Sequence, residues 1–195
     1  VWLLAGSVYE PAPSAGRVCN TSALFDPAGA LRAVYRKIHL FDIDVPGLEH
    51  LKESKAITPG AELVVADAGF AKLGLSICYD LRFPELYRAL SARGAEVLLV
   101  PSAFTDRTGR DHWEVLLRAR AIENGCWVIA PSQVGGPPGA VAYGRSMVID
   151  PWGTVVAQAP DRECIVRAEI DTERVADVRR QIPVLANRRP ATYRL

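Results

Sequence analysis

The sequence predicts a layered α/β fold, and three observations carry that prediction. Short apolar runs of strand length alternate along the chain with amphipathic stretches at helical spacing. Two pairs of these runs are separated by turn-forming residues and should fold back as hairpins. One run, AEVLLVPSA, is apolar almost throughout rather than alternating, as expected of a strand covered on both faces.

Taken in order, VWLLAGSVYE reads as an interior strand. RVCNTSALF and LRAVYRKIHLF flank Asp26-Pro27-Ala28-Gly29, a turn with proline second and glycine fourth, so they should pair. ELVVADA and KLGLSI should pair likewise around Gly69-Phe70. Pro84 suits the first turn of a helix over PELYRALSAR, because its fixed φ and missing N–H cost nothing there. Leu86 and Leu90 share one face of that helix, and Gly94 ends it. After AEVLLVPSA comes a second helix, DHWEVLLRARAIEN, in which Trp113, Leu116, Leu117, Arg120 and Ala121 recur at helical spacing before Gly125 stops it. CWVIAPS, GRSMVID, TVVAQ and ECIVRAEI read as strands, with Pro151-Trp152-Gly153 as a turn between two of them. TERVADVRRQI reads as a short last helix and PVLANRRPATYRL as an irregular tail. With no linker, repeat or low-complexity segment, residues 1–195 form one domain or most of one.

Composition narrows the function classes. The 195 residues are 49% hydrophobic and 23% charged, enough to bury a full core. The net charge of +1 comes from 23 basic and 22 acidic side chains without a long single-sign block, so neither a nucleic-acid nor a membrane partner is expected. No apolar run approaches the roughly 20 residues that span a bilayer. The four cysteines, at 19, 78, 126 and 164, form no C-x-x-C pair, and the histidines are scattered, which argues against zinc. Without an export signal, reduced thiols in a cytoplasmic setting are expected.

The chemistry centres on AKLGLSICYDLRFPELYRAL, which delivers Cys78 to the junction of a strand and a helix. There, partial positive charge at a helix start favours thiolate, the nucleophilic form. The same residue reads equally as a buried core cysteine. Lys37, in YRKIHLFD, alternates onto the strand face of Tyr35, His39 and Phe41, where a fixed cation could stabilise an oxyanion; taken alone it reads as an ordinary surface lysine. Glu114 lies three residues after Asp111, as in a capping box, and four before Arg118, as in a helical ion pair. It could instead orient an ammonium or accept a proton, and spacing leaves both roles open.

Together these segments resemble the nitrilase superfamily of carbon–nitrogen hydrolases. The resemblance runs through YRKIHLFD, Glu53-Ser54, Pro59-Gly60, GLSICYDLRFPELYR, PSAFTDRTGRDHWEVLLRARAIEN and YGRSMVIDPWG, and is strongest toward the branch of omega-amidases and the Nit1 and Nit2 amidases. HLFDIDVPG leans to the omega-amidase side, RFPEL and HWEVLLRARAIEN to the other.

The resemblance implies a four-layer α-β-β-α sandwich and a Glu-Lys-Cys arrangement. Cys78 matches the nucleophile, Lys37 the lysine supporting the tetrahedral intermediate, and Glu114 a second glutamate beside the triad. The amide of Tyr79 would join Lys37 in the oxyanion site, and Phe104, Thr105 and Tyr143 are candidates for the acyl pocket. The implied reaction hydrolyses a small carboxamide through a cysteine thioester, with no cofactor or metal, in a homodimer or higher homo-oligomer. A non-catalytic interaction module, and a nitrilase or acyl transferase using the same cysteine, are the alternatives. Two departures stand out. The general-base glutamate implied upstream of the lysine, in a segment ending Pro-Glu, has no match before Lys37, since Glu10 precedes its proline and lies too near the lysine. The chain is therefore expected to lack its amino-terminal portion. Arg145, in YGRS, stands where the family commonly has histidine.

Overall fold

The structure is a computed structural model that describes residues 1–44, 52–138 and 140–193. The end of HLFDIDVPG and His50 lie outside the described residues. Strands β1 (Leu3–Pro11), β2 (Val18–Phe25) and β3 (Leu31–Arg36) form an antiparallel sheet in that order, the last two joined through the expected turn. In that turn Asp26 accepts the amides of Ala28 and Ala30 through its Oδ1.

A second sheet follows from β4 (Val65–Asp67) and β5 (Lys72–Leu75), then helix α1 (Pro84–Ala92), strand β6 (Val97–Leu99), helix α2 (Asp106–Asn124) and strand β7 (Trp127–Ala130). A two-strand hairpin of β8 (Val134–Gly135) and β9 (Ala142–Tyr143) intervenes before β10 (Met147–Ile149), β11 (Val155–Gln158) and helix α3 (Glu173–Gln181). The second sheet runs β11-β10-β7-β6-β5-β4, parallel at its centre and antiparallel toward both edges.

Alternation along β6 explains the layering. Leu98 faces one core, packed with Leu86, Tyr87 and Leu90 of α1 and Trp113, Leu117 and Ala121 of α2. Val97 and Leu99 face the other, where Leu24 and Tyr35 of the three-stranded sheet meet Leu73, Leu75 and Trp127. This central strand is buried on both faces, as its unbroken apolar character required. The described residues thus stack as helices, sheet, sheet, while Leu3, Val8, Tyr9 and Leu31 of the three-stranded sheet remain exposed.

Four elements differ from expectation. Strand β1 is not interior: among the described residues it lies at the edge of its sheet, pairs with β2 alone and leaves Leu3, Val8 and Tyr9 exposed. Strand β3 stops at Arg36 rather than running on to Phe41, because beyond it the chain crosses to the 58–60 segment: Lys37 donates its amide to Asn20 O and accepts Gly60 N, each at 2.8 Å. Helix α2 starts at Asp106, five residues before Asp111, with Thr105 as its extended N-cap. Residues 163–170 form no strand despite their alternating pattern, since no ladder partner pairs with them among the described residues. Val166 and Ile170 still reach the core between the sheets, whereas Ile165 is exposed.

Candidate active site

Strand β5 delivers the chain to Cys78, which opens a tight 3-10 turn over Cys78–Arg82. Cys78 takes φ 49°, a left-handed conformation that costs a non-glycine residue on the order of 1–3 kcal/mol. The surrounding bonds hold it there: its amide donates to Pro101 O at 3.0 Å, at the end of β6. Asp80, fully buried, accepts Ile77 N at 2.8 Å and the Tyr35 hydroxyl at 2.6 Å on Oδ2. Its Oδ1 accepts His39 N at 3.0 Å and the His39 Nδ1–H at 2.8 Å. The cysteine turn and the lysine segment are therefore fastened to one carboxylate.

Lys37 is only 2% exposed. A buried ammonium needs a partner, and Nζ donates to Glu53 Oε2 at 2.6 Å. The same oxygen accepts Phe41 N at 2.7 Å, which fixes the carboxylate. The charges of both Lys37 and Glu53 are felt at Cys78. Burial pushes the Cys78 thiol above its ordinary range, Lys37 and the Ala103 amide pull it back, and the Glu53 and Asp80 charges push it up. Burial outweighs the nearby ammonium, so the net push on the thiol is upward.

The sulfur opens on a small hollow lined by Phe41, Tyr79, Arg82, Phe104, Thr105 and Thr108. An adjoining cleft of about 590 Å³ shares Phe41, Ala103 and Thr105 with it and adds Glu53, Lys52 and Gln133. Arg82 spans the hollow, its guanidinium 4.9 Å from the Phe104 ring and 5.8 Å from the Tyr79 ring, donating to His112 Nδ1 at 3.1 Å. No carboxylate pairs with it among the described residues.

Of the residues singled out from sequence, Cys78 and Lys37 come together, and Tyr79, Phe104 and Thr105 border the sulfur. Tyr79 packs edge-on against Phe41 and Phe83. Tyr143 does not face the hollow: its ring lies on Gly109, where an added Cβ would meet it at 2.4 Å, and its amide supports Phe104 O at 2.8 Å. Glu114 is a correction. Trp113 and Leu117 take the buried face of α2, and Glu114 points outward, 47% exposed and 3.6 Å from Arg118. Neither is it a capping-box residue, since Asp111 lies inside the helix. The carboxylate at the lysine is Glu53, whose signal was the Glu53-Ser54 pair already among the family-like segments. Asp80 and Arg82 also escaped the sequence reading.

Glu10, set aside from sequence, is occupied by Arg36 at 2.6 Å and the Thr21 hydroxyl at 2.8 Å. Arg145 is engaged in a two-pronged pair with Asp161 at 2.6 and 2.7 Å on the surface. Among the described residues no group of three or more His, Cys, Asp or Glu is arranged to hold a metal ion, and no helix is long and apolar enough to cross a membrane.

Residues 1–180 match the carbon-nitrogen hydrolase family. The chain belongs to that family. Within it, the chain is 48% identical over 192 residues to a deaminated glutathione amidase of Synechocystis, covering 96% of this chain and 71% of that protein. It is 44% identical over 194 residues to the omega-amidase NIT2 of Homo sapiens, covering 99% and 70%. The crystal structure of the Caenorhabditis elegans NitFhit protein superposes with a TM-score of 0.93 at 47% identity, over 100% of this chain and 48% of that one. The chain spans about half the length of that fusion protein. These likenesses place the carbon-nitrogen hydrolase chain in the Nit1/Nit2 branch and give it the nitrilase fold.

Proposed function

We propose that the protein is a thiol amidase that converts a small, carboxylate-bearing carboxamide to the acid and ammonia through a thioester on Cys78. The observation that carries this reading is the buried Lys37 ammonium, held by Glu53 beside a cysteine on a strained strand-end turn. In the reaction Cys78 Sγ gives up its proton and attacks the carbonyl carbon, and the carbonyl pair moves onto oxygen. Lys37 and the Tyr79 amide stabilise that oxyanion, and Glu53 keeps the lysine in place. The C–N bond breaks as nitrogen takes a proton and leaves as ammonia. Water then attacks the thioester, the C–S bond breaks, and the acid departs with the thiol restored. The proton that Cys78 gives up is balanced by the one that the departing nitrogen takes. Metal and cofactor play no part in these steps.

Arg82 supports the carboxylate on the substrate. A half-buried guanidinium beside the nucleophile, without an acidic partner among the described residues, suits an anion brought in by the ligand. Relatives named for an omega-amide and for deaminated glutathione fit the same class. Reduced thiols suit a cytoplasmic enzyme, and exposed Val115 and Ile122 on α2 suit a homo-oligomer.

The test is ammonia release by the full-length protein from an omega-amide of a 2-oxo acid and from a neutral amide of equal size. Activity abolished by Cys78→Ala, with Arg82→Met raising KM about 100-fold for the acid-bearing amide alone, supports the proposal. Release surviving Cys78→Ala refutes the mechanism. Equal handling of both amides by wild type and Arg82→Met refutes the substrate class.

A further inference from the structure

The carboxylate of Asp80 has no part in the steps above, yet it is the most heavily engaged acid near the sulfur. It is fully buried and serves four donors from two segments. One donor, Ile77 N, belongs to the turn that presents Cys78. The others, the Tyr35 hydroxyl, His39 N and His39 Nδ1, lie two residues before and two after Lys37. The lysine thus hangs between two points fixed to the same group. His39 is further locked by stacking on Phe83, with ring centroids 3.7 Å apart and planes within 8°.

We propose that Asp80 is a positioning residue for amide hydrolysis: its two oxygens clamp the Lys37 segment onto the Cys78 turn, setting the separation between ammonium and sulfur. The inference rests on the amidase reading and adds a residue to it.

The chemistry requires a carboxylate. The Ile77 and His39 backbone amides donate to different oxygens, Oδ2 and Oδ1. Asparagine has one acceptor oxygen, and its NH2 would oppose the other backbone N–H, so one tether must break. A backbone N–H cannot rotate to become an acceptor, unlike the Tyr35 hydroxyl. Asp80 also fixes the His39 tautomer, because a carboxylate oxygen at Nδ1 calls for the proton there.

The experiment compares Asp80→Asn with wild type in the full-length protein, by steady-state kinetics on the acid-bearing amide and by amide hydrogen exchange. The expected result is a fall in kcat of about 100-fold with KM changed less than about threefold, since the carboxylate's hydrogen-bond partners among the described residues are Tyr35, His39 and Ile77, and none of them is Arg82 or lines the cleft. Exchange protection should drop at Ile77 or His39. An unchanged kcat, or a loss appearing wholly in KM, overturns the proposal, as does full protection at both amides. Should Asp80→Asn fail to fold, the Tyr35→Phe/His39→Phe double variant decides. It keeps both backbone tethers and an aromatic ring on Phe83 but removes two side-chain donors, and at least a roughly tenfold loss of kcat at constant KM is expected. Unchanged kcat in that variant overturns the clamp. Nitrogen NMR of wild type should show the His39 Nδ1–H tautomer, and the Nε2–H form contradicts the clamp. Failure of the amidase reading is distinguishable, because it appears as wild-type inactivity while the exchange and tautomer results still judge the clamp.

Discussion

Nζ of Lys37 donates to Oε2 of Glu53 at 2.6 Å, and that oxygen simultaneously accepts the amide of Phe41. Through this contact a nearly inaccessible ammonium is both neutralised and aimed. Substituting Glu53 with glutamine should keep the shape and weaken the hold on the lysine. We expect kcat to fall about 100-fold in Glu53→Gln, and Glu53→Ala to lower stability by about 2 kcal/mol in urea denaturation, since a partner of a mostly buried charge is lost. Kinetics and stability both at wild-type level would show that the pair is incidental.

The state of Cys78 at rest gives a signed pH prediction. Burial and neighbouring carboxylates raise the thiol and Lys37 lowers it, so iodoacetamide alkylation of Cys78 should still be climbing at a pH where that of an ordinary exposed cysteine has levelled off. Lys37→Met should move the climb to higher pH and Glu53→Gln to lower pH. Peptide mass spectrometry of the alkylated cysteine reads all three profiles. A plateau below neutrality would mean that the free protein already carries a thiolate.

Glu114 should be dispensable for chemistry. It faces outward toward Arg118, and an exposed i,i+4 pair contributes about 0.3–0.5 kcal/mol. Glu114→Ala is therefore expected to keep kcat/KM within about twofold of wild type. A loss of 100-fold, measured beside Glu53→Gln, would reverse the assignment of the two carboxylates.

Gly109 is a packing requirement behind the pocket. A Cβ there would lie 2.4 Å from the Tyr143 side chain, and Tyr143 in turn supports Phe104 O. Gly109→Ala should destabilise by about 1–3 kcal/mol through overpacking and raise KM by displacing Phe104 and Thr105. A thermal melt and Michaelis curve both matching wild type would contradict this.

Exposed apolar side chains on β1 and α2, among them Val8, Tyr9, Val115 and Ile122, should drive association of the 195-residue chain expressed alone. Light scattering after gel filtration is expected to show oligomers or aggregates. A sharp monomer with one cooperative melt would show that these surfaces need no partner.

The fold was legible wherever local signals agreed with burial. The turn at Asp26-Pro27-Ala28-Gly29, the helix opened by Pro84 and the doubly covered β6 all stand as read. The segment at 163–170 misled because alternation records which faces are apolar and says nothing about whether a neighbouring strand is available. In the candidate site, the local contexts of Cys78 and Lys37 left each open between an ordinary and a chemical role, and the resemblance to carbon–nitrogen hydrolases singled them out. Glu53 was not singled out, because its role depends on a contact with a lysine 16 positions away in the chain, and periodicity carries no such contact. Glu114 fitted a capping box only on the assumption that α2 begins at Asp111. Thr105 caps that helix earlier, which leaves Asp111 inside it, and the burial of Trp113 and Leu117 leaves the glutamate outside.

The central claim is that Cys78 carries the acyl group during turnover. Full-length protein quenched in the steady state with an acid-bearing carboxamide, then digested and mapped by mass, tests it most directly. The account predicts an acyl adduct on the Cys78 peptide at a mass equal to the amide minus ammonia, accumulating in wild type and absent from Cys78→Ser. Hydrolysis proceeding with that peptide unmodified, and persisting in Cys78→Ser, would contradict it.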